Sequence, residues 1–270
     1  MYLNFYGLRE QPFNITPNPR FLFFSNHHRE AFHHLLYGVE SRKGFIELTG
    51  EVGAGKTTLC RALLAALRTR KVETALVLNP CMPDTQLLRS ILKDLGIVVK
   101  SRDRLRYIEE LNEFLLSRNA QGFNVALIID EAQCLSPQVM EQVRLLSNLE
   151  TDQHKLIQIV LCGQPELEKR LARPDLRQLR QRITVRYNIP PLTEDDTMLY
   201  IRHRLKVAGP ETQAEFDRGA VREVYRYAGG IPRLINAVCD NALLAGYVFQ
   251  TQKIDARCVK SAIQQLEGKA

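Results

Sequence analysis

The chain has 270 residues, of which 45% are hydrophobic and 25% charged, with 37 Lys and Arg against 30 Asp and Glu for a formal charge of +7. That length suits one large domain or a medium domain with a small one, and that balance is ordinary for a soluble globular protein. The opening residues read without a signal peptide, the longest apolar runs (125–129 and 156–162) are too short to cross a bilayer, and the six scattered cysteines form no C-x-x-C pair, which points to a reducing cytoplasm.

Residues 1–25 are rich in Pro, Asn and aromatics (Pro12, Phe13, Pro17, Pro19, Phe21, Phe23, Phe24), as in an irregular strap packed on a domain. Ser25-Asn26 can cap a helix over 27–41, with Phe32, Leu35, Leu36 and Val39 at helical spacing. Residues 44–49 read as a strand, followed by a glycine-rich turn and a helix through Leu67. The turn is Gly50-Glu51-Val52-Gly53-Ala54-Gly55-Lys56-Thr57, a match to G-x-x-x-x-G-K-[ST] placed after a strand and at a helix start. Glycines let consecutive amides close around phosphate oxygens at the positive end of a helix. Lys56 is then expected to reach the β- and γ-phosphates, Thr57 to ligate Mg²⁺, and Thr58 to contact the α-phosphate.

A second strand is expected at 75–78, helices at 84–95 and 104–118, and a third strand at 125–129, whose continuous apolar run suits a buried parallel sheet. That strand ends in Asp130-Glu131. Asp130 can hold the Mg²⁺ shell and Glu131 can polarise an attacking water. Ser136-Pro137 starts a helix with Val139, Val143, Leu146 and Leu149 on one face, and strands follow at 156–162 and 184–189. Alternating strands and helices predict an α/β fold, a three-layer α/β/α sheet domain over 1–190. After Pro190-Pro191 the pattern turns helical. Thr193-Glu194-Asp195-Asp196 resembles a capping box, with Met198, Ile201 and Leu205 inward, and further helices are expected at 216–228, 232–250 and 255–266. Residues 191–270 thus read as a small helical domain.

The paired motifs and the helical tail resemble the AAA+ superfamily, P-loop ATPases in which a helical lid follows the sheet domain. The resemblance implies ATP and Mg²⁺ as cofactors and ATP hydrolysis as the activity. It places Gln164 at the polar position that reads the γ-phosphate, and Arg233, in Gly229-Gly230-Ile231-Pro232-Arg233, at the lid position that bridges to it. It also places Arg182, with Arg180 as second choice, at the arginine finger that acts in trans within a ring or arc of subunits. A finer resemblance, to the ATPases of the general secretion pathway protein A (ExeA) family, covers nearly the whole chain. It rests on Tyr6-Gly7-Leu8-Arg9-Glu10-Gln11-Pro12-Phe13, Pro17-Asn18-Pro19-Arg20-Phe21, Asp130-Glu131-Ala132-Gln133, Gly163-Gln164-Pro165-Glu166-Leu167 and Leu179-Arg180-Gln181-Arg182-Ile183. By that analogy Pro12 and Phe13 lie near the adenine, a simple hydrophobic strap being the alternative. The chain is expected to work in the cytoplasm, at the cytoplasmic face of the inner membrane, with a membrane partner of a secretion or export machine. The competing expectation is a DNA-binding regulatory ATPase of the transposition or replication-initiator type. Its motive is the basic stretch Lys169, Arg170, Arg173, Arg177, Arg180, Arg182 and Arg186.

Overall fold

The computed structural model describes residues 2–16, 18–101 and 103–269. Pro17 of the proline-rich opening lies outside them, as do Met1, Arg102 and Ala270. In chain order the elements are α1 (Tyr2–Phe5), α2 (Asn26–Glu40), β1 (Phe45–Gly50), α3 (Lys56–Leu67), β2 (Val72–Val77), α4 (Asp84–Asp94), α5 (Arg104–Ala120) and β3 (Asn124–Ile129). There follow α6 (Pro137–Leu146), β4 (Gln158–Gly163), α7 (Pro165–Leu171), α8 (Arg177–Arg182), β5 (Ile183–Ile189) and α9 (Glu194–Ala208). The chain continues through β6 (Glu215–Phe216), α10 (Arg218–Ala228), α11 (Pro232–Val248), β7 (Lys253–Ile254) and α12 (Ala256–Leu266).

Two compact units result: one of residues 29–50 and 59–189, the other of the opening segment, residues 51–58 and the chain from Pro190 on. In the first unit, among the described residues, β1 to β5 form a parallel sheet in the order β2-β3-β4-β1-β5. Every residue of β1, β3 and β4 is buried, which only a sheet covered on both faces allows. Alternate side chains serve the two layers. Phe45, Leu127, Ile129, Ile159 and Leu161 join a core with Leu88, Ile91, Leu111, Leu115, Val139 and Val143 from α4, α5 and α6. On the opposite face α2 presses so close that a side chain at Gly38 would meet Ile46 Cγ1 at 2.6 Å. Because all strands run the same way, Gly50, Ile129 and Gly163 end β1, β3 and β4 on one edge of the sheet.

The second unit packs α9 to α12 around Ile201, Leu205, Val224, Ile235, Leu243 and Val259. Its helices start on side-chain caps. Thr193 accepts from the Asp196 N–H, Asp217 from Ala220 and Asp255 from Cys258, each worth about 1 kcal/mol. Capping by Asp217 delays α10 to Arg218, so Phe216 lies in β6, which pairs in parallel with β7, rather than in the helix expected there. The opening segment belongs to this unit and is less irregular than its composition suggests. Tyr2 begins a helical turn and its hydroxyl donates to Asp240, while the Tyr6 hydroxyl donates to the Leu243 carbonyl at 2.9 Å. Buried Arg204 donates to the carbonyls of Pro12 and Asn14 and stacks on Phe21. The strap is thus sewn down by side chains at distant positions, a signal no local pattern carries.

Candidate functional site

The glycine loop begins where β1 ends and closes into the first turn of α3. Gly53 and Gly55 adopt φ of 82° and 98°, a region that suits glycine. At Gly53 bulk is also excluded, since an added Cβ would lie 2.5 Å from the Cβ of Arg233. Arg233 is the second residue of α11, and its N–H donates to the Gly53 carbonyl at 3.3 Å. Lys56 opens α3, is 6% exposed, and donates from Nζ to the Glu51 carbonyl at 3.0 Å. Thr57 and Thr58 occupy the same first helical turn.

His28, which the sequence reading passed over, holds the loop from another side. Its Nε2 lies 2.9 Å from the Ala54 carbonyl and its Nδ1 2.7 Å from Ser25 Oγ, all buried. A carbonyl can only accept, so Nε2 carries the proton, and the neutral ring accepts from the Ser25 hydroxyl. Burial pushes the His28 pKa below its ordinary value, which keeps the ring neutral. Ser25 also accepts from the His28 N–H at 3.3 Å, the capping expected of it. The available signal was Ser-x-x-His at a helix start, which is too common to single out.

In the sheet unit, Asp130 is 2% exposed; its N–H donates to the Val77 carbonyl at 2.9 Å and its Oδ1 accepts from the Glu131 N–H at 3.0 Å. Glu131 takes a left-handed conformation, φ 52° and ψ 38°, which for a residue with a side chain costs on the order of 1 kcal/mol. Its Oε2 accepts from Gln133 Nε2 at 2.5 Å and from Gln164 Nε2 at 3.1 Å. Gln133 Oε1 in turn accepts from the Gln164 N–H at 3.1 Å, closing a three-residue network. Gln133 had appeared only as a letter in a motif; the structure shows that it aims the carboxylate. Gly163 leaves space for it, because a Cβ there would stand 2.9 Å from Gln133 Oε1. Arg170 fixes the same turn by donating to the Gln133 and Leu135 carbonyls.

The remaining expected residues are dispersed. Arg182 ends α8 and donates to Ser147 Oγ and Asn148 Oδ1, both at 2.6 Å. Arg180 is exposed and lines a cavity of about 320 Å³ with Glu47, Glu168 and Arg186. Phe13 is buried against the edge of Phe216, ring centres 6.0 Å apart, and Pro12 offers its carbonyl to Arg204. Much of the basic stretch is engaged internally, Arg170 as above, Arg173 with Asp175, and Arg186 with the buried Glu47 at 3.2 Å.

A parallel sheet in this order, with a glycine loop after β1, acids after β3 and a helical unit, has clear relatives. Residues 39–171 match the AAA domain family. The chain superposes on the ORC2 protein of Aeropyrum pernix, solved in ADPNP and ADP complexes, with a TM-score of 0.72 over 95% of this chain and 71% of that one, at 16% identity. It superposes likewise on the Aeropyrum pernix ORC1 protein in complex with DNA, with a TM-score of 0.70 over 96% of this chain and 70% of that one, at 17% identity. The chain shares the fold of these proteins. In sequence the chain resembles general secretion pathway protein A of Aeromonas hydrophila, with 45% identity over 269 residues, 99% of this chain and 49% of that protein. It therefore spans about half the length of that relative. Among the described residues no helix is long and apolar enough to cross a membrane.

Proposed function

We propose that this chain binds and hydrolyses ATP with Mg²⁺ and uses the cycle to order and release an assembly at a secretion or export machine of the bacterial envelope. The observation that carries the reading is Glu131, a carboxylate held by two glutamine amides one residue beyond a buried Asp at a strand end. A strained, amide-aimed carboxylate suits a general base and has little use in a passive binding module.

The residues present fit the nucleotide and its ion. Amides of residues 50–55 and the start of α3 offer donors to phosphate oxygens, with Lys56 supplying a cation. Thr57 and Asp130 would supply the hard oxygen ligands that suit Mg²⁺, an ion that would shield the charge of the phosphates. Glu131 then takes a proton from the attacking water, and Gln164 positions that water beside the γ-phosphate. Arg233, already packed on Gly53, would report the state of the loop to α11. Arg182, or Arg180 in its place, would complete a neighbouring subunit's site in a ring or arc. Pro12 and Phe13 are proposed to border the adenine. The sheet domain and the helical domain would be the working parts.

Calorimetry with Mg-ATP and measured phosphate release test this reading. Wild type should bind and turn over, Glu131→Gln should bind without turnover, and Lys56→Ala should lose binding. Folded wild type with no affinity for Mg-ATP would end the proposal. The envelope role is supported by the resemblance to general secretion pathway protein A; on it, the chain would work in the cytoplasm, at the inner face of the inner membrane, beside a membrane partner. If Arg182→Ala and Arg180→Ala both leave ATPase rate and nucleotide-dependent oligomer size unchanged, trans action is refuted. The second reading, a DNA-binding regulator, draws on exposed Lys169, Arg177 and Arg180. Duplex binding that falls steeply with rising salt would favour it.

A further inference from the structure

Strands β2 and β3 are neighbours, with Val77 opposite Ile129, so the loops leaving them run side by side. Each loop carries an exposed free cysteine, Cys81 after β2 and Cys134 after β3. Cys81 Sγ stands 3.8 Å from the Cys134 carbonyl, to which its thiol donates. Cys81 sits in a tight turn, its N–H bonded to Asn79 Oδ1 at 3.3 Å. Cys134 is tied to the site, since its N–H donates to the Glu131 carbonyl at 2.8 Å and the carbonyls on either side of it accept from Arg170.

A second cysteine pair supplies an internal contrast. Cys60 of α3 and Cys162 of β4 bring their sulfurs to 3.0 Å but are 1% and 0% exposed, out of reach of dissolved oxidants. Proximity is common to both pairs, and only Cys81 and Cys134 add access.

We propose that Cys81 and Cys134 form an oxidation site, an accessible dithiol that hydrogen peroxide closes into an intramolecular disulfide, halting the turnover assigned to Glu131. One thiolate attacks the peroxide, the O–O bond breaks, and a sulfenic acid and water result. The second thiol then attacks that sulfur, the S–S bond forms, and the S–O bond breaks to release a second water. Two thiols thus lose two electrons in all, and one peroxide becomes two waters. The new bond draws the β3 turn toward the β2 loop. Glu131 sits in that turn in a left-handed conformation, and its aim at a water tolerates little displacement. The effect on turnover rests on the ATPase reading; the disulfide does not.

Treatment of the full chain with hydrogen peroxide, followed by peptide mapping without reductant, tests the proposal. The expected result is a linked Cys81–Cys134 peptide, Cys60 and Cys162 still reduced, and ATP hydrolysis lowered about tenfold or more and restored by dithiothreitol. Cys81→Ser and Cys134→Ser should hydrolyse ATP at the untreated rate and keep that rate in peroxide. A map without the linked peptide, or covalent dimers in its place, overturns the site. A linked peptide with unchanged hydrolysis overturns its control of Glu131. If untreated protein shows no hydrolysis at all, the ATPase reading has failed, and the peptide map still decides the site.

Discussion

The glycine loop and the end of β3 are both shaped by backbone conformations that most residues avoid, yet they are held by different means. The loop uses glycines at Gly53 and Gly55, so its φ values carry little strain, and it is gripped through backbone carbonyls by His28 and Arg233. The β3 terminus places a residue with a side chain, Glu131, in the left-handed region and grips that side chain by two amides. A binding loop needs its shape, which backbone contacts can hold whatever its side chains do. The general base proposed for Glu131 would need its carboxylate aimed, which accounts for strain being tolerated there and for the side chain being the part restrained.

The sharpest way to break this contrast is at Glu131. Glu131→Gln should lower phosphate release by about 10²- to 10⁴-fold while leaving Mg-ATP affinity nearly intact. Loss of affinity as well would mean that the two regions are not separable. Next in size is Gln133→Leu, which removes one donor to the carboxylate and the acceptor for the Gln164 N–H. A drop of about tenfold in kcat with little change in KM is expected, because a misaimed base slows chemistry without weakening the phosphate grip.

The two regions were also unequally legible. The loop announces itself because phosphate chemistry demands glycines and a lysine at fixed spacing, and Asp130-Glu131 could be found as acids ending an apolar run. Strands and long helices followed from periodicity, with ends displaced by a few residues. What stayed hidden depends on approach in space. Gln133 and Gln164 lie 31 residues apart and meet because β3 and β4 are neighbours. His28 reaches Ala54 across 26 residues, and Arg204 reaches Pro12 across 192. The short helices α7 and α8 lack the two full turns that would make an apolar stripe visible.

His28 tests the loop's side of the contrast with a smaller effect. His28→Ala leaves the Ala54 carbonyl without its partner in a buried place, which costs about 1–3 kcal/mol of stability. Mg-ATP affinity should fall with it, while kcat at saturation changes little. His28→Gln, whose amide can donate to the same carbonyl, should recover most of both.

The smallest expected effect is on pH dependence. Burial lowers the pKa of His28 in the folded chain, so the unfolded chain binds the proton more readily. Stability from this group is therefore fully present above the unfolded value of about 6.5 and is lost as pH falls from there toward the folded value. His203 is shifted the same way by burial and contributes in parallel, so wild type alone cannot apportion the effect. Thermal melts from pH 7.5 to 5.5 should show a decline that is shallower in His28→Gln than in wild type. Equal slopes in the two proteins would show that the loop is not held through a neutral imidazole.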